Sequence, residues 1–264
     1  MPDEITTAFH RSVDEGVKRL ERPWGPLIAT GIVGGLDVSV GVLALLVVEH
    51  ETGNRLLGAL AFGVGFLALT LANSELFTEN FLVPVAAVVA HDARWRSVAR
   101  LWAGTAAGNL VGGWIAMGLV VAAFPDLRAT AVHIAAHPMS LPAGAAFASS
   151  ILGGTVITLM TWMERGTESV PAKLVSAWAM AFLLAATPLQ HAIVVSIEAF
   201  AALHSGASFG YAHWLATVAM AALGNAIGGL GLVTVLRLVQ VGREELERER
   251  ARSTNDEREP EPDS

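Results

Sequence analysis

Cysteine is absent from this sequence. Disulfides, thiolate metal sites and cysteine nucleophiles are therefore excluded from the start. Charge is scarce as well. Asp, Glu, Lys and Arg make up 16% of the chain, against about 25% in an ordinary soluble domain. The first 22 residues mix acids and bases ahead of any apolar run, unlike the start of a secretory signal. Nothing marks a nucleic-acid partner. No nucleophile–base set or cofactor motif marks an enzyme, and no histidine spacing suggests a metal site. The net charge of −7 is mostly a property of the end of the chain, because Arg243–Ser264 holds nine acids and five bases.

Apolar sequence, by contrast, is abundant. The chain is 53% hydrophobic, with a mean hydropathy of +0.52. Leu101–Phe124 is 24 residues without a charged side chain, Leu141–Met163 is 23 and Gly210–Leu236 is 27, while Pro26–Val48 carries only Asp37. At 1.5 Å per residue, about 20 such residues cover a hydrocarbon core of about 30 Å. The runs predict an all-α membrane protein with six crossings, at about 26–48, 56–90, 101–124, 141–163, 173–204 and 212–236. The second and fifth are too long for one straight helix and too short for two, since 35 residues would measure roughly 52 Å. Each contains a polar break: SELFTEN (74–80) in the second, TPLQH (187–191) in the fifth. Two half-helices joined by a non-helical turn account for each.

Positive charge orients the chain. With both termini inside, 15 of the 17 Lys and Arg residues fall on inner segments, and only Arg55 and Arg128 face outward. An internal repeat supports the same count. GNLVGG (108–113) recurs as GNAIGG (224–229), 116 residues on, and that offset carries Ser74 onto Gln190 and Glu75 onto His191. Three crossings per half is an odd number, so the halves are expected to be inverted 3+3 repeats with broken helices in matching places. That arrangement points to a transport site near the membrane midplane. Irregular backbone survives at that depth only where protein buries it or water reaches it.

The domain reading has three parts. Residues 1–24 form a cytoplasmic amphipathic helix with an apolar stripe of Phe9, Val13, Val17 and Leu20. Residues 25–237 form the channel domain, with repeats at about 25–124 and 141–237. Residues 238–264 form a charged cytoplasmic tail, in which REELERERAR extends the sixth helix and the last dozen residues are expected to be disordered.

Six crossings, SELFTEN in a broken second helix, a histidine in the broken fifth helix and the paired GN-x-x-GG motifs together resemble the formate/nitrite transporter family. ITLMTWM (157–163) also looks like that family's fourth-helix end. The resemblance covers about residues 25–237. It implies an aquaporin-like helical fold and a homopentamer with one pore per protomer in a prokaryotic plasma membrane. It also implies passage of small monovalent anions such as formate or nitrite, with a proton as a possible companion.

The resemblance places Thr78 at a central constriction as a gate that hydrogen-bonds substrate; the alternative is a cap for the following half-helix. Leu76 and Phe77 are candidates for an apolar slit, or for ordinary packing. His191 falls on the family's pore histidine, and a membrane histidine is a functional candidate in its own right. Asn109 and Asn225 are read as structural, satisfying backbone groups freed in the broken helices, with Ser74 and Gln190 beside them.

Several residues depart from the family pattern. Val195 stands where the family has a pore asparagine, and its outer lysine is absent, with His133 and His137 in that region. Glu198 lies seven residues after His191, on nearly the same helical face, and Asp37 is a second intramembrane acid. Both are candidate proton sites or contacts between protomers. Two other classes stay open. One is an aquaporin-like channel for a neutral solute such as water, ammonia or a polyol. The other is a non-transporting membrane scaffold or sensor.

Overall fold

In the computed structural model, which describes residues 2–91 and 94–256, every regular element among the described residues is helical. Five helical stretches are long and apolar enough to cross a membrane. They are α2 (Trp24–Thr52), α3 (Arg55–Ala72), α5 (Trp95–Ala123), α7 (Ala143–Arg165) and the continuous Tyr211–Val241. The last of these runs from α10 (Tyr211–Ala226) through a π-helical segment at Ile227–Thr234 into α11 (Val235–Val241).

Local chemistry sets the helix ends. Asn54 caps α3 by accepting from the backbone N–H groups of Leu56 and Leu57. Asn73, left-handed at φ 52°, stops α3 before the SELFTEN segment. A 3₁₀ turn at Phe77–Phe81 follows, then α4 (Val83–His91). In the second half, Ser169 caps α8 (Val170–Ala186), and α9 (Ala192–His204) starts after a non-helical stretch through Gln190 and His191. Thus α3 and α4, like α8 and α9, are separate helices with the polar residues between them.

The membrane-length helices pack as α2 against α3 and α5, α7 against α10 and the π segment, and α3 against α8. One buried apolar cluster joins the halves, drawing Phe62, Phe66 and Leu76 together with Ile157, Ile193 and Ile197. The short helices are covered by two others. α1 (Pro2–Glu21) lies on α4, and α6 (Arg128–Ser140) lies on α9. Sequence reading found α1 from its stripe but left α6 as a connection.

Two expectations change. The REELERERAR segment does not extend the sixth crossing. Gly242, at φ +86°, breaks the path, a conformation open mainly to glycine. A separate helix, α12 (Arg243–Asp256), then folds back against α4, held by Arg250 on the Val89 carbonyl and by His10 Nε2, 3.0 Å from Glu245 Oε1. Of the stretch expected to be disordered, residues 253–256 finish α12 and residues 257–264 lie outside the described residues.

Candidate functional site

Both polar breaks are held by one device. Asn109 Oδ1 accepts from the Phe77 N–H at 2.9 Å, and its Nδ2 donates to the Gly31 and Glu75 carbonyls at 2.8 and 2.9 Å. Asn225 Oδ1 accepts from the Ala192 N–H at 2.9 Å, and its Nδ2 donates to the Ser150 and Gln190 carbonyls at 2.7 and 2.8 Å. Each asparagine is fully buried and satisfies two backbone groups of its break that a helix ladder would otherwise pair, while its third bond goes to a carbonyl inside α2 or α7.

Close backbone approach makes the device possible. A Cβ on Gly35 would sit 2.2 Å from the Asn109 carbonyl oxygen, and one on Gly154 would sit 2.1 Å from that of Asn225. No larger residue fits there without moving the helices apart.

These bonds correct the repeat register. They pair Glu75 with Gln190 and Phe77 with Ala192, an offset of 115 rather than the 116 that relates the asparagines. His191 therefore matches Leu76, and Ser74 does not match Gln190. The break of the second half lies one residue farther from its asparagine.

Thr78 and His191 meet at the centre, both wholly buried. Thr78 Oγ1 lies 2.6 Å from His191 Nε2. His191 is also the N-cap of α9, and its Nδ1 accepts from the Val194 N–H at 3.3 Å. A ring nitrogen that accepts carries no proton, so the neutral ring holds its hydrogen on Nε2 and donates it to Thr78. The Thr78 hydroxyl hydrogen is then free to donate elsewhere.

Apolar groups surround the pair. Leu76 is fully buried, and Phe77 meets Phe81 edge-on at 5.1 Å. Phe81 in turn packs on Trp102, whose Nε1–H donates to the Asn80 carbonyl at 2.8 Å. Thr234, at the end of the π segment, donates to the Phe81 carbonyl at 2.9 Å. A π-helical segment therefore braces the 3₁₀ turn that carries Thr78.

The remaining candidates separate. His133, His137 and Glu198 line one cavity of about 500 Å³ together with Glu49, Arg55 and Val195. Asp37 lies elsewhere, accepting the Ser74 hydroxyl on α2. Gln190 Nε2 donates to the Pro138 carbonyl of α6 at 2.7 Å.

Sequence reading missed the charges that α1 brings to SELFTEN. Arg19 is 3% exposed, with Nε 3.0 Å from Glu15 and 3.3 Å from Glu75, and Nη1 2.9 Å from Asn80 Oδ1. Arg22 also pairs with Glu75. Burial alone would pull the Arg19 pKa down; Glu75, Glu79 and Glu15 more than reverse this and hold it above its ordinary value. The signal was present, because Ser12 and Arg19 are seven apart on the same face as Phe9, Val13 and Leu20. A stripe counted from apolar residues alone passes over them.

The family model described as Formate/nitrite transporter matches residues 6–239. An integral membrane protein with helical spans and a buried Thr–His centre is the class that fold and site define. The chain belongs to the formate/nitrite transporter family. It is 26% identical over 255 residues to the uncharacterised transporter YrhG of Bacillus subtilis, covering 90% of this chain and 92% of that protein. It is 25% identical over 253 residues to the formate channel BtFdhC of Bacillus thuringiensis, covering 86% and 93%. Its fold matches the solved structure of a pentameric formate channel with formate bound at a TM-score of 0.68 and 20% identity, over 82% of this chain and 96% of that one.

Proposed function

We propose that the protein conducts small monovalent weak-acid anions, formate or nitrite among them, across a prokaryotic plasma membrane. The observation that carries this reading is the Thr78–His191 contact of 2.6 Å, made by two segments 113 residues apart at the buried meeting point of the halves. Membership of the family and the likeness to BtFdhC support the substrate class.

In this reading there are six crossings, α3 with α4 and α8 with α9 each forming one broken crossing. Three lie in each half, inverted about the membrane plane, with both termini cytoplasmic. The matched asparagine bonds support the repeat, and the bias of Lys and Arg supports the orientation. Five copies assemble with one pore each, a reading that the pentameric state of the similar formate channel supports. Residues 1–24 are the cytoplasmic amphipathic helix, 25–237 the pore and 238–264 the charged cytoplasmic tail.

The mechanism follows from the donors. The N-terminus of α9 presents partial positive charge beside His191. An anion entering between Leu76 and Phe77 accepts the Thr78 O–H, while His191 Nε2–H supports the Thr78 oxygen from behind. A proton taken up from water at His191 and passed through Thr78 to the anion leaves the ring neutral again and removes a charge whose transfer through a dry slit costs several kcal/mol.

Proteoliposome flux tests the reading with formate, nitrite, acetate, hydrosulfide, ammonia and water at two pH values. Thr78→Ala and His191→Ala are each expected to lower formate flux by about tenfold or more. Unchanged flux and pH dependence in both variants would remove the mechanism. A neutral-solute channel is the second reading. It is favoured by the outer cavity, where Glu49 and Glu198 outnumber Arg55. It predicts osmotic water or ammonia movement without anion movement.

A further inference from the structure

A second polar chamber of about 80 Å³ lies on the α1 side of Thr78. Glu15 and Arg19 of α1, Glu79 of the 3₁₀ turn, Glu164 and Arg165 of α7, and Lys173 of α8 contribute its charges. Two buried atoms of these lining residues have no hydrogen-bond partner, Glu79 Oε1 and Arg165 Nε. One is an acceptor lacking a donor and the other a donor lacking an acceptor.

Glu79 is 4% exposed, and its other oxygen is 3.7 Å from Arg19, beyond hydrogen-bond distance. The other acids of the chamber are engaged. Glu15 accepts from Arg19 at 3.0 Å, and Glu164 accepts from Thr70 at 3.2 Å. Glu75, just outside, pairs with Arg19 and Arg22. Native proteins leave few buried polar atoms unpaired, and a pair of opposite polarity in one chamber calls for a ligand with both functions.

We propose that this chamber is a second substrate station, at which a small monobasic acid gives its proton to Glu79 and leaves its anion facing Arg165 and Lys173. The assignment rests on the proposed transport of weak-acid anions. A neutral acid has the two functions required: its carbonyl-type oxygen accepts from Arg165 Nε–H, and its O–H donates to Glu79 Oε1. The acid O–H bond breaks, a new O–H bond forms on Glu79, and the electron pair stays on the acid's oxygen. Glu79 then returns the proton to chamber water. The opposite direction runs the same steps in reverse. The groups facing Glu79 are Arg19 and Glu15 from α1, Glu75 from its own loop, Glu164 and Arg165 from α7, and Lys173 from α8, and they set the balance of charge around the step.

The test uses the full-length protein in proteoliposomes, with formate as probe and orientation read from a C-terminal tag. The pH on the α1 side is varied between about 6 and about 8, with proton movement followed by an entrapped dye. Glu79→Gln is expected to lower coupled formate and proton flux about tenfold or more and to flatten its dependence on α1-side pH. Arg165→Lys keeps the charge, removes Nε and is expected to raise the half-saturating formate concentration severalfold while the pH dependence persists. Wild-type flux that needs Thr78 and His191, with Glu79→Gln indistinguishable from it, overturns the chamber assignment alone. So does an unchanged half-saturation in Arg165→Lys, which decides the matter if Glu79→Gln fails to fold. Absence of formate flux from the wild-type protein overturns both readings.

Discussion

At Glu75–Phe77 and at Gln190–Ala192 the backbone makes matching bonds to an asparagine, yet the side chains around the two breaks share little. The first break is charged: Glu75 and Glu79 face Arg19 and Arg22, delivered by α1. The second has no ion pair among the described residues: Gln190 bonds to the Pro138 carbonyl of α6, and Glu49, Arg55 and Glu198 line the cavity that Pro188 and Leu189 share. The asparagine brackets belong to the fold, which both halves need. The ion pairs belong to one face, where the proposed second station lies. A repeat thus keeps its backbone chemistry while its two mouths diverge.

The largest effect expected is loss of a bracket. Asn109→Ala or Asn225→Ala leaves two buried backbone groups of its break unpaired, at about 1–3 kcal/mol each before relaxation. Both should lower folded yield and melting temperature in detergent by similar, large amounts. If one variant melts near the wild type while the other collapses, the brackets are not equivalent. The next effect separates the breaks. Arg19→Met leaves Glu79 without its cation and Glu75 with Arg22 alone, and is expected to cost about 3–5 kcal/mol. Gln190→Leu removes one hydrogen bond together with an unpaired Oε1 and is expected to change stability by only about 1 kcal/mol. Equal losses on the two sides would erase the contrast.

Much of the bracketed centre was legible in residues. Charge-free runs located the helical stretches, polar runs located SELFTEN and TPLQH, and the repeated GN-x-x-GG gave the two asparagines. Register was not legible, because an offset fixed at the asparagines assumes no length change between them and the breaks. The bonds to Glu75 and Gln190 show a change of one residue. α6 was missed because its composition, RATAVHIAAHPMS, shows little amphipathic contrast and carries an internal proline, Pro138. Arg19 was missed for a different reason. Hydropathy places an arginine outside a buried face, whereas three carboxylates and an asparagine make burial tolerable here.

The smallest effect concerns pH and separates the covers rather than the breaks. Glu15 of α1 is held below the usual glutamate value of 4.5: burial acts to raise it, and Arg19, Arg165 and Lys18 together outweigh burial. A carboxylate whose folded value is lowered stabilises the folded state above its ordinary value. That contribution fades as pH falls through the folded value. α6, the cover on the other side, contains no Asp or Glu between Arg128 and Ser140. Mild acid should therefore loosen α1 from α4 before it loosens α6 from α9. Hydrogen exchange from about pH 6 to about pH 4, corrected for intrinsic rates, should show protection falling first across α1. Glu15→Gln should remove most of that pH dependence and leave α6 unaffected. If α6 opens first, or if α1 opens with the same pH dependence in Glu15→Gln, then Glu15 is not what steadies Arg19 in its contacts with Glu75 and Asn80.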